Sequence, residues 1–178
     1  TVAGNNEDIE YEEVDLSKVT KTEAIGGFDS ATMKRTGLEL ANEIFLKYSE
    51  LPAFIDAPDF SHESDVAAIM ETKAKTLNGG MFEAIALINA PADKKYNDLV
   101  EWKETNNVLS NDQVLLYGKI KLAGEIYHQS IHYAALSMKV DSENNGVPSQ
   151  GPSNYSYKMD AFVWKNASGK YEEVRLDK

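Results

Sequence analysis

The sequence lacks cysteine, long apolar runs and an excess of basic charge, and each absence removes a class of protein. No cysteine occurs among the 178 residues, which excludes disulfide bonds, cysteine-ligated zinc, iron–sulfur clusters and thiol nucleophiles. The longest mostly apolar stretch, residues 81–90, contains Glu83 and Asn89 and is too short to cross a bilayer, so we expect no transmembrane segment. With 18 basic against 29 acidic residues the net charge is −11, which argues against nucleic acid as a partner.

Length and composition predict one globular domain with an acidic N-terminal tail. Hydrophobic residues make up 42% and charged residues 26% of the chain, as in ordinary folded proteins, and this length corresponds to one domain. Residues 1–27 hold seven acidic and two basic residues, and strong self-repulsion with few apolar groups predicts flexibility. We therefore expect a flexible tail over 1–27, either a tether or a frayed terminus, and a single domain over 28–178.

The basic residues indicate a compartment. The chain has 16 lysines but only two arginines, and this bias, together with the lack of cysteine, is typical of secreted proteins of low-GC Gram-positive bacteria. We expect an extracytoplasmic protein, secreted or tethered to the cell surface in the manner of a lipoprotein, with a cytoplasmic location as the alternative.

Several segments carry apolar residues at helical spacing. The first is followed by Pro52, which ends a helix, and the second by Asn78-Gly79-Gly80, which supplies a glycine stop. Helices are predicted over residues 31–50, from 61 or 64 to about 77, and over 94–105. The segment 81–89 is predicted as a helix, with a strand as the alternative.

The longest predicted helix covers residues 111–140. Ser110 and Gln113 have the spacing of a capping box, in which the serine caps the helix and the glutamine reaches back to the serine backbone. Gly118 and Gly124 lie inside this segment and each lowers helix stability by roughly 1 kcal/mol relative to alanine. They are interpreted as points of close helix packing or as a bend.

The C-terminal part has a different pattern. Tyr, Phe, Val and Trp are enriched on both sides of a turn that contains Gly169, which predicts a β-hairpin over about 155–176. The fold class expected from the whole chain is therefore mainly α: a bundle-like domain of four or five helices with a C-terminal β-hairpin packed on it.

One group of residues has the spacing of a metal site. On a helix over 111–140, His128 and His132 lie one turn apart on the face that also carries Glu125, and imidazoles at this spacing can share one metal ion. His62 could complete the site, so a divalent transition metal is one possible cofactor. The favoured interpretation is instead that this face, bounded by lysines, is a solvent-exposed edge and that the protein holds no cofactor.

Aromatic residues are concentrated near the C-terminus, and a cluster of this kind on an exposed sheet often marks a binding patch. The alternative is that one face of the hairpin simply packs on the core. The candidate patch consists of Tyr155, Tyr157, Phe162, Trp164 and Tyr171.

These observations favour a non-enzymatic, extracytoplasmic binding module whose partner is a protein or a component of the cell envelope. One alternative is a metal-binding helical bundle that uses His128 and His132. The other is an acidic intracellular or phage-type protein that interacts with a basic partner through its charged surface.

Overall fold

In a computed structural model the described residues, 15, 18–155 and 158–174, form a mixed α/β domain rather than a helical bundle. The helices of this part of the chain are α1 (Lys21–Ile25), α2 (Ala41–Tyr48), α3 (Ser64–Lys75), α4 (Leu99–Thr105) and α5 (Gln129–Glu143). The strands are β1 (Gly27–Asp29), β2 (Lys34–Thr36), β3 (Phe54–Asp56), β4 (Ile85–Asn89), β5 (Gln113–Leu116), β6 (Lys119–Leu122), β7 (Glu125–His128), β8 (Ala161–Lys165) and β9 (Tyr171–Val174). The expected mainly α fold class is therefore wrong.

The largest error concerns residues 111–140, which form three strands before α5 begins. Gly118 has φ +79° and Gly124 has φ +88°, in the left-handed region that glycine adopts without a side-chain clash. The first glycine lies in the turn between β5 and β6, and the second closes the hairpin of β6 and β7. The predicted contact of Gln113 does exist, since its side-chain oxygen accepts the Ser110 N–H at 3.3 Å, but it precedes a strand.

Two further helix predictions change. Most of the segment 81–89 is the strand β4, not a helix, because it pairs with parallel strands on both sides. Of the predicted helix 31–50 only α2 is α-helical, preceded by a 3₁₀ turn over Gly37–Leu40 and by the β1–β2 hairpin. The predictions for α3 and α4 are confirmed apart from their ends.

The core surrounds a parallel sheet with the strand order β3-β4-β5. Ala86 and Ile88 of β4 pack in one cluster with Met70 of α3 and Trp102 of α4. Successive side chains of a strand point to opposite faces, so Asn89 faces the other side, where it bonds Ser130 of α5. Helices on both faces explain why β4 is almost wholly apolar.

A second, antiparallel sheet has the order β7-β6-β8-β9. It contains the predicted C-terminal hairpin, in which β8 pairs with β9. The Lys165 N–H donates to the Ala92 carbonyl at 2.8 Å, so the end of β8 is tied to the loop that follows β4. This contact places the end of β8 beside the carboxyl ends of the parallel strands.

The predicted tail lies largely outside the described residues. Its last part includes α1, and Lys21 of α1 forms an ion pair of 2.8 Å with Asp65 of α3. The division of the chain at residue 27 stays a prediction. In the described part of the chain, no helix is both long and apolar enough to span a membrane.

Candidate functional site

Two adjoining clefts lie at the carboxyl ends of the parallel strands, the edge at which open α/β sheets commonly bind ligands. The polar cleft, of about 600 Å³, is lined by the loops after β3 and β4 and by side chains of the second sheet, notably Lys119, His128 and Tyr171. The aromatic cleft, of about 630 Å³, is lined mainly by Tyr96, Tyr117, Phe162 and Trp164.

The floor beside the polar cleft is held by buried hydrogen bonds. The Asn89 amide nitrogen donates to the Ser130 hydroxyl at 2.9 Å, and its oxygen accepts the Ser130 N–H at 3.2 Å. The backbone N–H of Asn89 donates to the Ser61 hydroxyl at 3.0 Å. Because Ser61 and Ser130 are fully buried, these bonds fix the end of β4 against α5 and the loop after β3.

Asp56 ends β3 next to this network. Burial raises the pKa of the Asp56 carboxyl, and a hydrogen bond from Ser130 opposes the shift without cancelling it. The network therefore places a carboxyl group of weakened acidity at the carboxyl edge of the sheet, close to the first turn of α5.

Strand register places two basic side chains together in the polar cleft. Lys119 of β6 lies directly opposite His128 of β7, and the Lys119 Nζ is 3.0 Å from the His128 Nε2. The His128 Nε2 is also 2.7 Å from the Asp59 Oδ1. The imidazole is largely covered, with 16% of the side chain exposed, while the Asp59 side chain is 78% exposed.

Burial lowers the pKa of His128, and the positive charge of Lys119 and the proximity of His62 lower it further, while Asp59 opposes the shift. The histidine is therefore held mainly neutral at neutral pH. A second anion beside it would favour the protonated form, so the ring can respond to whatever occupies the cleft.

The Tyr171 ring lies near two lysines of the polar cleft, Lys119 on β6 and Lys165 on β8. The Lys119 Nζ lies 5.7 Å from the centre of its ring and the Lys165 Nζ lies 5.3 Å from it. Both distances are within the range of a cation–π interaction, so one aromatic ring positions two ammonium groups.

The aromatic cleft is built from rings on three segments. Tyr96 meets Tyr117 edge to face with ring centres 6.3 Å apart, and Tyr117 lies 6.4 Å from Phe162. The Tyr117 hydroxyl donates to the Lys94 carbonyl at 3.2 Å, which orients its ring. Phe162 and Trp164 alternate along β8 with buried residues and so share the face that lines the cleft.

Gly118 is required for this arrangement. A Cβ atom on it would lie only 2.3 Å from the Phe162 ring, and its φ of +79° is unfavourable for other residues. The turn between β5 and β6 thus lets the Phe162 ring lie against the backbone.

The structure separates the predicted metal ligands. His62 and His128 both line the polar cleft, but Glu125 is exposed at the start of β7 and His132 is buried in α5, only 8% exposed. The expected exposed histidine edge does not form, because His128 ends a strand and only His132 is on a helix. Among the residues described here, no three histidine, aspartate or glutamate side chains are grouped to hold a metal.

The predicted aromatic patch is only partly brought together. Phe162 and Trp164 line the aromatic cleft and Tyr171 the polar cleft, while the Tyr155 hydroxyl donates to Gln150 at 2.6 Å. Tyr157 lies outside the described residues. Sequence reasoning missed Tyr96 and Tyr117; the available signal was Gly118, a turn-forming residue next to Tyr117.

Comparison with known proteins adds no relative: no family model, no curated protein and no solved structure matches this chain.

Proposed function

We propose that the protein is a non-enzymatic binding module and that the aromatic cleft holds a flat apolar group of its ligand. The observation that carries this proposal is the grouping of four aromatic side chains in a concave space of about 630 Å³. Ligand sites are typically concave, mostly apolar clefts with a few polar groups.

The exposure of Tyr96 supports binding rather than core packing. Tyr96 is 74% exposed although it touches Tyr117, so it gains little from burial in the free protein. A flat ligand stacked beside it would cover apolar surface that now faces water.

The polar cleft fits a binding role better than acid–base catalysis. A general base needs a nitrogen that is free to take a proton from its substrate. The His128 Nε2 already has both Asp59 and Lys119 within 3.0 Å, so the ring is engaged with its neighbours.

We also propose that the module acts outside the cytoplasm, on a component of the cell envelope. The composition supports this, with 16 lysines, two arginines and no cysteine. Fractionation of the source cells with an antibody to this chain tests the location, and recovery of the protein mainly in the cytoplasmic fraction would contradict it.

The binding proposal is tested with 2-naphthol, a flat neutral probe, by ligand-observed NMR. A probe of this size should bind with a dissociation constant on the order of 0.1–1 mM. Tyr96→Ser should weaken binding about fivefold, because an aromatic contact contributes on the order of 1 kcal/mol.

Tyr48→Ser is the matched control, since Tyr48 is 70% exposed on α2 and lines neither cleft. It should bind 2-naphthol like the wild type. The proposal fails if no saturable binding occurs up to the solubility of the probe, or if the Tyr96 variant binds as well as the control.

A further inference from the structure

We propose that the ligand of this module is an anion: a planar ring that lies in the aromatic cleft and bears a compact anionic group, such as a phosphate, sulfonate or carboxylate, that lies between Lys119 and Lys165 in the polar cleft. This inference rests on the proposed binding function and specifies the chemistry of the ligand.

The two clefts adjoin, so one molecule that crosses their common rim can contact both. Four residues line both of them: Asp93, Lys165, Asn166 and Ala167. The boundary is therefore formed by the loop after β4 and the end of β8, which are fastened together by the Lys165–Ala92 hydrogen bond of 2.8 Å. This rigid boundary places Lys165 where it can contact either part of a ligand.

The charge of the clefts is opposite to that of the chain. Their combined lining has four lysines and two aspartates, a formal charge of +2 from these groups, whereas the formal charge of the whole chain is −11. The lysines are Lys94, Lys95, Lys119 and Lys165. A local field of this sign attracts anions and repels cations.

In the described part of the chain, the four cleft lysines form no ion pairs with acidic side chains, whereas several other lysines do. Seven lysines elsewhere lie within 4.0 Å of an acidic group: Lys18, Lys21, Lys47, Lys73, Lys75, Lys121 and Lys139. Within the described residues, none of the four cleft lysines has such a contact. The same holds for Lys34, Lys103, Lys158 and Lys170, but these line neither cleft.

Lys119 and Lys165 are the pair best placed to hold the anionic group. Both ammonium groups are held near the Tyr171 ring, at 5.7 Å and 5.3 Å from its centre. Two like charges held near one ring repel each other, and an anion between them relieves this repulsion. His128, beside Lys119, adds a further positive charge near the anion when it is protonated.

Three probes that share the naphthalene ring and differ in charge test the inference: naphthalene-2-sulfonate, 2-naphthol and 2-naphthylmethylammonium. At low ionic strength we expect the sulfonate to bind about tenfold more tightly than the naphthol, and the ammonium compound more weakly than either, since two nearby lysines can contribute on the order of 1.4 kcal/mol. Salt should reduce the advantage of the sulfonate.

Variants locate the charged group. Lys119→Gln and Lys165→Gln should each lower the sulfonate affinity about threefold or more, on the order of 0.7 kcal/mol, and should lower it more than they lower the affinity for 2-naphthol. Lys34→Gln, on β2, is the control and should change neither affinity, because Lys34 lines neither cleft.

The possible failures are distinguishable. If 2-naphthol binds as proposed but the sulfonate binds no better, or if Lys119→Gln and Lys165→Gln bind it as tightly as the Lys34 variant, the inference is wrong and the binding function stands. If none of the three probes binds, both are wrong.

Discussion

Asn89→Ala tests whether a side chain of the sheet caps α5. The residue before this helix, His128, does not cap it with its own side chain, and the first N–H groups of a helix need acceptors. The Asn89 Oδ1 takes this role by accepting the Ser130 N–H at 3.2 Å. Because Ser130 is fully buried, water cannot replace the lost acceptor.

The magnitude follows from the side-chain hydrogen bonds that the substitution removes, two to Ser130 at 2.9 and 3.2 Å and a longer one to Ser61 at 3.4 Å. An unsatisfied buried N–H costs about 1–3 kcal/mol, and the amide–hydroxyl bond to Ser130 contributes about 1 kcal/mol. We expect Asn89→Ala to lower the free energy of unfolding by about 2–4 kcal/mol. Ser130→Ala keeps the capped N–H but removes a buried hydroxyl that bonds both Asn89 and Asp56, so it should lower the free energy of unfolding by about 1–3 kcal/mol.

Urea unfolding followed by tryptophan fluorescence measures these changes, since Trp102 is buried in the core. Asn111→Ala is the control, because Asn111 is exposed and such a substitution should change stability by less than about 0.5 kcal/mol. A loss below about 1 kcal/mol for Asn89→Ala, at an unchanged denaturant slope, would refute the capping role.

Three further predictions concern the turn and the histidines. Gly118→Ala should destabilise the protein by about 1–2 kcal/mol, because alanine at this positive φ is strained and its Cβ displaces Phe162. The same substitution should weaken 2-naphthol binding. An unchanged urea midpoint and an unchanged affinity would contradict this prediction. Burial lowers the pKa of His132 below the ordinary histidine value, so the His132 ring binds a proton more readily in the unfolded chain than in the folded one. The contribution of neutral His132 to the free energy of unfolding is therefore full above about pH 6.5 and is lost as the pH falls through the lowered pKa. His132→Gln should flatten this pH dependence in urea titrations between pH 7 and 5. Bound naphthalene-2-sulfonate should raise the lowered pKa of His128. The affinity for the sulfonate, unlike that for 2-naphthol, should therefore increase as the pH falls from 8 to 6. If the sulfonate affinity of His128→Gln depends on pH in the same way, another group is responsible.

Local signals were sufficient where a segment's structure depends on its own neighbours. The helix α3 ends at Lys75, three residues before the turn at Asn78-Gly79-Gly80, and the β8–β9 hairpin has its turn at Gly169. In that turn the Asn166 Oδ1 accepts the N–H groups of Ser168 and Lys170. Such interactions span a few residues, so the sequence pattern predicts them.

The same signals were misleading over residues 111–140. The apolar residues of β5 to β7 match a helical pattern as well as a strand pattern, and Gly118 and Gly124 were placed inside a helix although they end strands. What selects strands here is pairing with distant partners: β6 pairs with β8, and β5 with β4. Short apolar segments take the structure that their tertiary partners impose.

The candidate site was only partly predictable. The aromatic composition of the C-terminal part pointed to Phe162, Trp164 and Tyr171. Tyr96 and Tyr117 join them only because three segments meet at one edge of the sheet. The contact of Asp59 with His128 spans 69 positions of the chain, and no local pattern indicates such a pair.

By itself the sequence determined the chemistry that this protein does not use, through its lack of cysteine, and the structures whose stabilising contacts are local, such as α3 and the C-terminal hairpin. The tertiary structure decided that residues 113–128 are strands, that β4 is buried on both faces, and that lysines and aromatic rings converge in two clefts. The physical reason is range: turns and helix ends depend on contacts a few residues long, whereas strand pairing and cleft formation depend on contacts between residues far apart in the chain.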